Sequence, residues 1–167
     1  MYVPFDRLPA DSRIWVYLSD REWTPSEINS LEASAKVFLE DWTAHQQALC
    51  ASFNVFYNRF LVIAVDQQAV SASGCSIDKS VAFVKSLEDS LQCRLLERML
   101  FAFKKDGKVN VVDKQRFEEL AESGEITDST IVFDNLVDTL QALGHRWEIP
   151  FERSWHKVLV GRRVTSD

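Results

Sequence analysis

Six apolar residues in succession, Phe60-Leu61-Val62-Ile63-Ala64-Val65, make the longest such run in the chain. A run of this length, bounded by Arg59 and Asp66, reads as a buried strand rather than an amphipathic helix. It falls far short of the roughly 18 apolar residues that a membrane span needs. A polar connection over Asp66–Ser73 follows, then Gly74-Cys75-Ser76, then helical periodicity from Ser76 to Gln92 through Ile77, Val81, Val84, Leu87 and Leu91. A buried strand that feeds through small residues into a helix start can place a site at the helix N-terminus, and it can equally form ordinary core.

The segments around this centre follow from local signals. Arg13–Leu18 (RIWVYL) has the β-rich composition of a strand. Thr24-Pro25-Ser26-Glu27 carries a capping residue, a proline at the first helical position and the acid of a capping box. The apolar face Ile28, Leu31, Ala35, Phe38, Leu39 and Trp42 then predicts a helix to about His45. Ala51–Tyr57 and the Phe60 run read as two strands if Asn58 turns the chain, or as one long strand if it does not. With Met99–Phe103 as a further strand, the order β-α-β-β-α-β predicts a ferredoxin-like α+β half over residues 1–97.

Residues 98–160 predict a smaller α+β half. Asp106-Gly107 signals a hairpin tip, and Asp113 can cap a short helix that ends near Gly124. Thr130–Phe133 is a compact strand-like run. Leu136, Val137, Leu140 and Leu143 have helical spacing up to Gly144. The end from His145 is aromatic and then basic, with a tail over 161–167.

At 167 residues and 46% hydrophobic, with 11 Phe and 5 Trp, the chain can build its core without a disulfide or metal staple. A net charge of −6 opposes a general nucleic-acid or anionic-membrane binder. Cys50, Cys75 and Cys93 are odd in number and widely spaced, which fits free thiols in a reducing, cytoplasmic setting.

The stretches MYVPFDRLP, YNRFLVIAVD, SASGCSIDKSV, IVFDNLV and the late Ser154-Trp155 resemble a family of small bacterial proteins often labelled "ABC transporter ATPase". The resemblance covers nearly the whole chain and implies a bacterial protein, without assigning an activity or a catalytic residue. ABC-type hydrolysis needs a phosphate loop, GxxxxGK[ST], and the only Gly-Lys here, Gly107-Lys108, is followed by Val109. Residues 100–155 resemble a GYF-like domain in the order aromatic strand, DGK turn, short helix, SGEITDSTIVF and late tryptophan. That resemblance implies binding of proline-rich peptides on an aromatic surface, although the Gly-Tyr-Phe tripeptide is missing.

Among chemical candidates, Cys75 is the sharpest. At the start of a helix a thiolate would be stabilised by free N–H groups, with Asp78 as the only local acid or base. The plainer expectation is a small residue packed at a strand–helix junction. Ser73, Gly74 and Ser76 could cradle an anion, or simply cap the helix. Trp147 and Trp155, around Pro150, could form a partner surface or a strap of rings packed onto the sheet. No metal site is expected, since the three histidines have no i, i+4 partner, and no cofactor motif is present. The leading expectation is a non-enzymatic binding or interaction protein with a protein or peptide partner, and the alternative is a small cysteine-dependent enzyme centred on Cys75.

Overall fold

The computed structural model describes residues 1–161. The predicted tail lies outside the described residues from position 162 onward. The first half contributes β1 (Arg13–Leu18), α1 (Pro25–Glu40), the short hairpin β2 (Thr43–Ala44) and β3 (Gln47–Ala48), β4 (Cys50–Phe56), β5 (Phe60–Asp66) and α2 (Gly74–Leu91). The second half adds β6 (Leu100–Lys105), β7 (Lys108–Asp113), α3 (Lys114–Glu122), β8 (Ile131–Phe133), α4 (Leu140–Arg146), β9 (Glu148–Pro150) and α5 (Trp155–Gly161).

The apolar run is β5, the middle strand of an antiparallel sheet ordered β1-β5-β4. Its side chains alternate between two cores, which is why none of the six can be polar. Leu61, Ile63 and Val65 face Leu31 and Leu39 of α1 and Val84 and Leu87 of α2. Phe60, Val62 and Ala64 face the other way, into a core that also holds Ala102, Val109, Phe133 and Trp147 from the second half. Burying each of the larger side chains is worth roughly 1.5–3 kcal/mol. β5 thus anchors both cores.

The second sheet has the order β7-β6-β8-β9. Ala102 points to the shared core, while Phe101 and Phe103 meet Phe117, Leu120 and Phe151 on the outer side. The layers therefore run α1 and α2, first sheet, second sheet, then α3 with α5.

The α+β class holds, but the ferredoxin-like sheet does not form from the expected strands. β1, β5 and β4 do pair antiparallel in the order such a fold requires, but the fourth strand, β6, pairs with β7 and β8 instead of joining β1. The physical reason is burial. Phe101, Ala102 and Phe103 are all buried, on alternate faces, so β6 needs a covered sheet of its own rather than an edge. The turn between β4 and β5 is real: Tyr57 and Asn58 take φ of +51° and +54°, the sign a tight hairpin requires. The hydrogen bonds Trp23 N–H to Asn58 O and Ser19 N–H to Arg59 O, both 2.8 Å, hold that turn in place.

Two predicted helix limits shift. α1 stops at Glu40, capped at Asp41, because the chain turns there into the β2–β3 hairpin with His45 and Gln46 at positive φ. α4 begins only at Leu140, where the Thr139 side chain accepts from the Ala142 amide, and Leu136 before it is 71% exposed. Asp106 and Gly107 form the predicted hairpin tip at φ +53° and +73°, and Asp113 caps α3. No helix among the described residues is long and apolar enough to cross a membrane.

Candidate functional site: a groove between the first two helices

The first turn of α2 is fixed by a reciprocal capping box. Ser73 Oγ accepts from the Ser76 amide at 3.2 Å, and Ser76 Oγ accepts from the Ser73 amide at 2.7 Å. Two otherwise unpaired donors are satisfied at once. The serines on either side of Gly74 therefore spend these atoms on capping the helix start. The Ser76 carbonyl in turn accepts the Trp42 indole N–H at 2.8 Å, which pins the second residue after α1 to the start of α2.

That indole is part of an aromatic floor. Phe38 of α1 and Phe83 of α2 stack at 4.4 Å with 4° between their planes, and Phe38 lies 5.4 Å from Trp42. Above them lies a shallow, widely open groove of about 540 Å³. Val37 and Asp41 form its α1 wall, and Lys79 and Ala82 its α2 wall. Val37 is 68% exposed, an unusual position for a valine.

Cys75 is exposed, which corrects the expectation of a packed thiol. The inward positions of α2 are Ser76, Ser80, Val84, Leu87 and Leu91; a residue one step before Ser76 must point away from them. Cys75 instead stands one helical turn before Lys79, in line with the α2 wall of the groove. Asp78 is exposed as well. Val81, placed by periodicity on the inner face, is 39% exposed, and the buried position beside it belongs to Ser80, whose hydroxyl donates to the Ile77 carbonyl at 2.7 Å.

The histidines are distributed through the fold. His45 is exposed in the β2–β3 turn and His145 lies in α4. His156 is 1% exposed in the core outside the second sheet, and burial pulls its pKa down to about 4. Among the described residues no group of three or more His, Cys, Asp or Glu could hold a metal ion.

Of the two candidate tryptophans, Trp147 is buried and Trp155 is half-buried. Trp147 is 3% exposed, so its ring is unavailable as a peptide surface; it packs on Phe60 at 4.9 Å and donates to Asn135 Oδ1 at 2.9 Å. Trp155 donates to Asp134 Oδ1 at 3.0 Å. Adjacent residues of one loop thus receive both indoles. Nearby, the Tyr57 hydroxyl donates to Glu148 at 2.8 Å, and Glu148 also pairs with Lys104. That pair and the Tyr57 hydroxyl hold the Lys104 pKa above its usual value, joining the β4–β5 turn to the second sheet.

Sequence reasoning missed the groove because Val37 falls outside the apolar phase of α1, and Phe83, which packs partly buried against the first core, was not among the periodic positions read for α2. The available signal was the one large apolar side chain off the inner face of α1. No protein-family model, curated protein or solved structure matches the chain.

Proposed function

We propose that the chain is a non-enzymatic protein-interaction module, working in the bacterial cytoplasm, that docks a protein surface in the α1–α2 groove. The observation that carries this reading is the exposed apolar wall at Val37 beside the stacked Phe38–Phe83 pair. A partner side chain seated there would cover apolar area at about 25 cal/mol per Å². Asp41 and Lys79 at the rim would fix its orientation, as charges do around an apolar interface centre. The cytoplasmic setting is supported by the free thiols of Cys50, Cys75 and Cys93.

The test is site-specific photo-crosslinking in cells, with the photoreactive residue at Val37 and a control at Leu136, which is exposed in the second half. A discrete protein adduct is expected from position 37 that fades when Ala82→Arg fills the opposite wall. Equal adduct yields from the two positions, or indifference to Ala82→Arg, would refute the reading.

A further inference from the structure

We propose that the partner seated in the α1–α2 groove is a second copy of this chain, related by a two-fold axis that runs along the groove. The proposal rests on the interaction reading above and adds the identity of the occupant.

The two walls differ in shape and in charge. The α1 wall carries Val37, 68% exposed, one helical turn before Asp41. The α2 wall is low, since Ala82 offers only a methyl group, and it carries Lys79. Asp41 and Lys79 both line the groove, and the bond from the Trp42 indole to the Ser76 carbonyl sets the residue before Trp42 and the first turn of α2 at the same end of it, on opposite sides. Among the described residues neither takes part in an ion pair.

A two-fold contact brings residue i against residue j and j against i. Rotation about an axis along the groove lays the α1 wall of one copy over the α2 wall of the other. Val37 then meets the low Ala82 position, and Asp41 meets the partner's Lys79. The symmetric contact repeats both. Rotation about an axis across the groove would instead set the α1 wall on itself, valine against valine, with no opposite charges facing. Only the first arrangement matches both shape and charge, and it uses two rim charges that no ion pair among the described residues neutralises.

The experiment is sedimentation velocity on the full chain from micromolar to millimolar concentration. The native protein is expected to show a monomer–dimer equilibrium. Asp41→Lys and Lys79→Glu each convert two attractive pairs into two repulsive ones, and each should weaken dimerisation roughly tenfold. An equimolar mixture of the two variants regains opposite charges at both contacts, so the mixture should associate about as well as the native protein. Both positions are exposed, and circular dichroism checks that the variants fold.

A native protein that stays monomeric to millimolar concentration overturns the proposal, as does a mixture that associates no better than either variant alone. The crosslinking at Val37 separates the two failures. An adduct to a different protein overturns the dimer and leaves the interaction reading standing, whereas the absence of a groove-dependent adduct overturns both.

Discussion

His156 shows how a single side chain can tie stability to pH. Its ring stacks on Trp155 at 3.9 Å, meets Phe101 edge-on at 5.2 Å, and places Nδ1 3.2 Å from Ser154 Oγ. Burial holds its pKa at about 4, against 6.5 for a free imidazole. Between those values the unfolded chain binds the extra proton and the folded chain does not. Stability therefore falls as pH drops from 6.5 through 4, by at most about 3 kcal/mol from this residue. His156→Phe keeps a ring in the aromatic cluster and removes the proton site. Urea unfolding from pH 7 to pH 4 should give a flatter profile for the variant. An unchanged profile would assign the acid sensitivity to other groups.

At the scale of the element, the two long helices owe their starts to local chemistry. Thr24 and Glu27 form one capping box, and Ser73 and Ser76 form the other. Replacing Ser73 with alanine should cost about 1 kcal/mol, and with glycine only a few tenths, because glycine lets backbone and water satisfy the same amide. Urea midpoints of the two variants check this order, and a reversed order would mean that Ser73 acts through something other than its cap. The box of α1 was legible because proline at the first position and glutamate at the third are unambiguous together. The box of α2 was half legible: the serines were visible, but Ser73 and Ser76 both offered themselves as caps. The start of α4 was not legible. Leu136 and Val137 keep helical spacing, yet Asp134 and Asn135 just before them are committed to the two indoles.

On the scale of the molecule, the shared core makes the halves interdependent. Phe60 is fully buried, within 4.9 Å of Phe133 and of Trp147, ring centroid to ring centroid. The edge strand β1 is also tied to the second half, through the Ile14 amide to the Asp138 carbonyl at 2.9 Å. Phe60→Ala should cost about 3–5 kcal/mol. Hydrogen exchange should show β1 and β6 losing protection together, in one transition. Loss confined to β1 would mean that the second sheet is stable without the first.

The sequence by itself determined what depends on neighbours in the chain. The strand at Phe60–Val65, the cap at Thr24, the Asp106-Gly107 tip and the α+β class all follow from spacing of a few residues, where backbone geometry leaves few choices. Tertiary structure alone decided which sheet each strand joins, since β6 is as good a strand in either and only the burial of both its faces selects the second. It also decided the site. Cys75 was conspicuous as a residue type, yet its reach is set by which face of α2 turns inward. Val37 and Phe83 stand nearly fifty residues apart in sequence. They line one groove only because α1 and α2 pack side by side on the same face of the first sheet.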